Sequence, residues 1–162
     1  MARGAEAGGG LMSRVPDLID ALVAALQASS ALNGVKVVDG PIVTDSAARE
    51  WVFIGYDGDE EGDFTTATTQ QEWAGIGAKK KNEDIVLTSS ILVQRGSVDV
   101  RSCRIRTYEL FAAVEGVLRA DPSLGFPTPT VCAVTEHTFH QEQTPDGLQG
   151  RLPFTVTCTT RI

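Results

Sequence analysis

The chain has 162 residues, of which 42% are hydrophobic, and a formal net charge of −7. That length favours one domain, and burying roughly 70% of the unfolded surface gives such a chain a core without metal or disulfide staples. The acidic balance weighs against a general nucleic-acid binder, which needs excess lysine and arginine to displace counterions, and no apolar run approaches the roughly 18 residues of a membrane span.

Three cysteines, Cys103, Cys132 and Cys158, are odd in number and lie in apolar patterns. They read as buried free thiols of a reducing compartment rather than a disulfide frame. No charged, apolar and cleavage-site series opens the chain, so Sec export is not expected.

In chain order, Met1 to Gly10 is Gly- and Ala-rich and lacks a packing pattern. Residues 1–12 are therefore expected to be a flexible arm, either a plain tail or a segment that orders against a neighbouring subunit. Residues 13–162 are expected to be a single domain. Val15, Leu18, Ile19, Leu22 and Leu26 form a helical stripe. Pro16 suits a first helical turn, and Asp17 and Asp20 favour its positive end. The pattern predicts a helix from Arg14 to Ala31, closed by Asn33-Gly34. Its outer face of Ala21, Ala24, Ala28 and Ser29 suits close packing, for instance against another subunit.

Val35 to Asp39 predicts a short strand, and Gly40-Pro41 a turn. Glu50 to Tyr56 predicts a strong strand. Trp51, Val52, Phe53 and Ile54 load both its faces, so it belongs at the centre of a sheet or under a subunit contact. Asp57 to Asp63 is an acidic loop. Thr65 to Trp73 is a Thr/Gln-rich ribbon facing solvent or a lumen. Gly75, Gly77 and Lys79-Lys80-Lys81 mark a hairpin tip.

The strand that follows is the one around which the rest is arranged. Ile85, Leu87, Ser89, Ile91 and Val93 alternate with a mixed set, so one face should pack on a core. After Gly96 the period changes. Cys103, Thr107, Leu110, Phe111, Val114, Val117 and Leu118 share one helical face, and Asp121-Pro122 ends the helix. Ser123 to Pro129 is a turn region, Val131 to Gln141 a strand, and Gln143 to Gly147 a turn. Phe154, Val156, Cys158, Thr160 and Ile162 then alternate with Thr155, Thr157, Thr159 and Arg161 in a last strand, on which the chain is expected to end. The expected fold is α+β: a two-layer arrangement with a largely antiparallel or mixed sheet against two main helices.

No catalytic motif survives inspection. Asp57, Asp59, Glu61 and Gly62 match the first half of a calcium-binding loop, but Thr68 stands where the bidentate Glu belongs and the flanks read as strands. A solvated loop, an intersubunit charge patch and a metal site remain as readings, the last the weakest. His137 and His140, three apart on one predicted strand, would point to opposite faces and not chelate one ion. Gly75 to Lys79 lacks the spacing and hydroxyl of a phosphate loop, and there is no nucleophile elbow or Cys-x-x-Cys pair. Lys79, Lys80 and Lys81 read as a solvated tip or a phosphate contact. Trp73 beside them reads as a partner anchor or as core.

Four stretches carry a family resemblance: Pro16 to Leu22, the strand Trp51-Val52-Phe53-Ile54-Gly55, the ribbon end Gln71-Glu72-Trp73, and Arg151-Leu152-Pro153-Phe154-Thr155-Val156. With the order of elements, residues 14–162 resemble the tail terminator proteins of long-tailed bacteriophages, the lambda-like minor tail protein group. The resemblance implies a non-enzymatic virion protein of the tail and neck, assembled in the host cytoplasm, with no cofactor and no membrane partner. It implies a ring, typically a hexamer, that caps the tail tube protein and later meets the head–tail connector or stopper, with DNA only as cargo through its channel. A head-to-tail contact between Asp57, Asp59, Glu61 and Asp63 and a patch of Arg95, Arg101, Arg104, Arg106 and Arg119 could close such a ring. The alternatives are another neck component, such as a stopper or adaptor, a tail-tube-like protein, and, from a different class, a small-molecule enzyme or ligand-binding domain.

Overall fold

The computed structural model describes residues 11–41, 47–77, 79–96 and 98–162. Most of the expected arm, residues 1–10, therefore lies outside the described residues.

Helix α1 spans Val15–Gln27 and a 3-10 turn covers Ser30–Leu32. The predicted single helix to Ala31 thus ends early. Ala28 closes it, its N–H donating to the Ala24 carbonyl, and the Ser29 N–H that follows donates to the Leu26 carbonyl. Gly34, at φ +81°, makes the turn into the sheet. Strands β1 (Lys36–Asp39), β2 (Glu50–Ile54), β3 (Ala67–Trp73) and β4 (Lys81–Arg95) follow, then helix α2 (Val100–Ala120), then β5 (Val131–His137), β6 (His140–Thr144) and β7 (Gly147–Arg161).

The sheet has seven strands in the order β1-β2-β4-β7-β5. Among the described residues only β1 and β2 pair in parallel, and the other pairs are antiparallel. The two fifteen-residue strands, β4 and β7, run side by side through the middle. Each is long enough to hold two shorter strands end to end on its outer side. On β4 these are β3 and β2, and on β7 they are β5 and β6.

Both helices cover one face. Helix α1 packs on β1 and β2, and α2 packs on β4, β7 and β5. The core between the layers takes the alternate positions Ile85, Leu87, Ile91 and Val93 of β4 and Leu152, Phe154, Val156 and Cys158 of β7. They meet Leu18, Leu22 and Leu26 from α1 and Leu110, Phe111, Val114 and Leu118 from α2. Each fully buried side chain of this size contributes about 1.5–3 kcal/mol. Asp99 caps α2, its carboxylate accepting from the Ser102 N–H at 3.1 Å.

The single strand expected over Val131 to Gln141 is two. The register of β5 on β7 shifts between Val134 and Glu136, and the chain leaves the ladder at Thr138 and Phe139. The cause is opposite, at Pro153 of β7. Pro153 supplies a carbonyl, which accepts from the Thr138 N–H at 3.0 Å, but it has no N–H to give back. The following turn is correspondingly shorter than expected, with β6 running to Thr144 and β7 starting at Gly147.

Candidate functional site

Strand β2 is apolar on both faces because it serves two cores. Val52 and Ile54 enter the helix-covered core, while Trp51 and Phe53 form a second cluster with Tyr56 on the far face of the sheet. Trp51 and Phe53 stack with centroids 5.5 Å apart. Phe53 meets Tyr56 edge-on at 5.4 Å, and Tyr56 stacks on Phe64 at 5.9 Å. This ring column lies beneath the acidic loop.

The loop is tied to the sheet at its start. Ser90 Oγ donates to the Tyr56 carbonyl at 2.8 Å, and Arg151 Nη1 donates to the Asp57 carbonyl at 3.0 Å. Gly58, at φ +78°, passes so close that a Cβ there would sit 3.1 Å from both Ser90 Oγ and Arg151 Cδ. The alternate carboxylates that mimic a calcium loop are engaged locally. Asp57 accepts from the Asp59 N–H, Asp59 from the Glu61 N–H, and Asp63 from the Thr65 N–H, at 2.9 to 3.0 Å. These turns are the ordinary use of Asp in loops. The backbone N–H of Thr65, then its hydroxyl, holds the Asp63 carboxyl below its usual range. Among the described residues no group of three or more His, Cys, Asp or Glu could hold a metal ion.

Between loop and sheet lies an open cleft of about 560 Å³. Trp51, Phe53 and Leu92 give its floor, and Asp59, Glu60, Glu61 and Glu142 its rim, with Arg151 as the one cation in its walls among the described residues. Burial raises the Tyr56 phenol, and Glu60, Asp57 and Asp59 raise it further, against Arg151. The cleft is thus a region of negative potential over an aromatic base.

The arginine patch is largely committed elsewhere. Arg106 forks onto Glu50 with contacts of 2.7 and 3.0 Å and reaches Glu109 at 3.2 Å. Arg95 joins Glu50 at 3.3 Å, and Arg119 pairs with Glu115 at 2.9 Å, one turn away. Hydrogen bonding from Arg106, and then the charges of Arg106 and Arg95, hold the Glu50 carboxyl down despite its burial. Arg101 and Arg104 alone of the five are exposed on α2 with no ion pair among the described residues.

The hairpin tip is more open than its sequence decided. Trp73 is 64% exposed and Ile76 fully so. Lys79 and Lys80 are exposed, whereas Lys81 begins β4 and holds its ammonium 5.1 Å from the Trp73 ring centre. Trp73 is therefore exposed at the tip and is not part of the core.

The two histidines fall on different strands. The His137 ring packs against Phe111, and its Nε2 lies 3.3 Å from the Tyr108 hydroxyl. All three cysteines are buried and free. Cys132 and Cys158 face each other across β5 and β7 with sulfurs 3.0 Å apart. Hydrogen bonding with Cys132, then burial, pushes the Cys158 thiol up.

One buried acid escaped the sequence reading. Glu83 has no exposed surface. Its carboxylate accepts from the Arg14 N–H and from the Gln71 amide, each at 2.7 Å, and Gln71 also donates to the Met12 carbonyl at 2.8 Å. These bonds fasten the entry to α1 against β3 and β4. The signal was available: Glu83 lies two before Ile85 on the core-facing set.

No family model and no curated protein matches the sequence. Among solved structures, the fold is similar to a chain of the virion of the native gene transfer agent (GTA) particle, with a TM-score of 0.56 at 9% sequence identity. The match covers 94% of this chain and 100% of that chain. At that identity the likeness speaks to the fold alone.

Proposed function

We propose that this chain is a structural protein of a tailed, phage-like particle, which closes the tail tube as a homo-oligomeric ring. The carrying observation is the likeness to a GTA virion chain over the full length of that chain. It agrees with the tail-terminator resemblance of the sequence, which spans the same region. Residues 13–162 would form the ring unit, with residues 1–12 as an arm. A hexamer with a central channel would stop tube growth, offer its other side to the head–tail connector, and pass DNA as cargo. Its work is done by contact surfaces rather than bond chemistry. The features that favour contacts are an exposed Trp and Ile at a hairpin tip and an acidic cleft at the other end of the sheet.

Negative-stain images of the purified protein, alone and with the particle's tube protein, test this reading. Rings with a central hole, seated at tube ends and limiting tube length, are expected. Monomers in light scattering at high concentration that leave tube growth unchanged would overturn it. Rings that ignore tubes but bind the head connector would move the assignment to another neck component.

A further inference from the structure

We propose that the β3–β4 hairpin tip of one copy seats in the acid-rimmed cleft on the far sheet face of the next copy. This rests on the self-assembly proposed above and names its contact. The tip offers two things a protein surface seldom presents together without a partner. Ile76 and Trp73 are large and exposed, and Lys79 and Lys80 beside them are exposed and carry no ion pair among the described residues. The Lys81 ammonium lies over the Trp73 ring, which restrains the indole in its exposed position.

The cleft supplies the complement. Four carboxylates, Asp59, Glu60, Glu61 and Glu142, line it together with Trp51, Phe53 and, among the described residues, one guanidinium, Arg151. Its 560 Å³ lies inside the roughly 300–1,000 Å³ of pockets that enclose a small ligand, which is room for an isoleucine and a lysine together. Cationic tip and anionic cleft on the same chain make a second copy the occupant, by charge complementarity.

Geometry keeps the contact between molecules. The tip precedes Lys81 at one end of β4, and the cleft reaches Leu92 towards the other. Eleven strand residues at ~3.3 Å each separate them by roughly 36 Å. A protrusion and its recess at opposite ends of one molecule give a heterologous contact, which propagates head to tail and either closes into a ring or continues as a filament.

Two single-cysteine additions test it in the full chain. Ile76→Cys and Glu61→Cys are both at exposed positions, and the three native cysteines are buried. Mixed and mildly oxidised, the two variants should yield a covalent dimer on a non-reducing gel that neither gives alone. In parallel, K79E/K80E should weaken self-association by about tenfold or more, since the reversal replaces attraction by like-charge repulsion at the contact and tenfold needs only about 1.4 kcal/mol. Mixing it with E60K/E61K should restore association. No mixed dimer overturns the proposal, as does association indifferent to the charge reversals. Wild-type rings alongside those failures would leave ring assembly standing and remove only this contact. A mixed dimer without rings would keep the contact and remove ring closure.

Discussion

Glu50 is one carboxylate serving two arginines, Arg106 and Arg95, one of them 56 residues away. Charge-assisted bonds of this kind contribute about 1.5–3 kcal/mol when protected from water, and the half-exposure of the arginines reduces that to about 1 kcal/mol. Glu50→Gln should therefore cost about 1 kcal/mol in urea unfolding at pH 7. The Glu50 carboxyl is held below its ordinary 4.5. Its contribution is thus complete above the unfolded value and is lost as pH falls through the folded one, so the gap between wild type and variant should narrow progressively as pH falls below 4.5. A gap that stays constant through acid unfolding would assign the loss to packing instead. Glu83 presents the opposite case: buried, with backbone and amide partners and no cation among its hydrogen bonds. Glu83→Ala strands the Arg14 N–H and one Gln71 bond, so a loss of about 2–3 kcal/mol is expected. Faster hydrogen exchange at the start of α1 than in β7 would show that the clasp is what failed. Glu83 could be placed from its strand parity alone, whereas the Glu50–Arg106 pair has no local signal, because nothing in a sequence period links positions so far apart.

The fit of α2 on β7 depends on a close approach of backbone to helix. Gly150 of β7 lies beneath α2, and a Cβ there would meet Thr107 Oγ1 at 2.6 Å and Cys103 Sγ at 3.3 Å. Thr107 is not free to turn aside, since its hydroxyl donates to the Cys103 carbonyl at 2.8 Å. Gly150→Ala should therefore lift α2 from the sheet and cost about 1–3 kcal/mol as overpacking, seen as a lower thermal midpoint. Combining it with Thr107→Ser, which removes only a methyl group, should not restore the midpoint, whereas Thr107→Ala should restore part of it. The helix itself was legible, because Cys103, Thr107, Leu110, Phe111, Val114 and Leu118 fall at helical spacing and all six are buried. So were β4, whose core-facing set recurs at every second residue although Ser90 on the other face is buried too, and the second half of β7, which alternates cleanly. What could not be read was the division of β5 from β6. The chain from Val131 to Gln141 looks continuous, and the proline that breaks its pairing sits on a different strand. The candidate site was legible in parts only. The acidic loop and the lysine tip announce themselves by composition, but the cleft needs Trp51, Gln149 and Arg151, which distant stretches bring to one face.

For the whole molecule, the proposed self-assembly raises the question of how copies carrying −7 each would associate. Two distances decide it. Net charges act between molecular centres, tens of ångströms apart, whereas lysine and carboxylate at a seated tip would lie within hydrogen-bonding reach. The screening length is about 30 Å at 0.01 M salt, about 10 Å at 0.1 M and about 3 Å at 1 M. At 0.01 M the long-range repulsion is therefore felt along with the local attraction. At 0.1 M the repulsion is largely screened while the close pairs persist. At 1 M the pairs weaken too, and only the apolar burial of Ile76 and Trp73 remains. Self-association measured by sedimentation should therefore pass through a maximum near 0.1 M salt. K79E/K80E should lose that maximum and instead associate better as salt rises, since for it both terms are repulsive. A wild-type response that climbs steadily to 1 M would mean that apolar contact alone holds the copies together, and that the lysines at the tip face water.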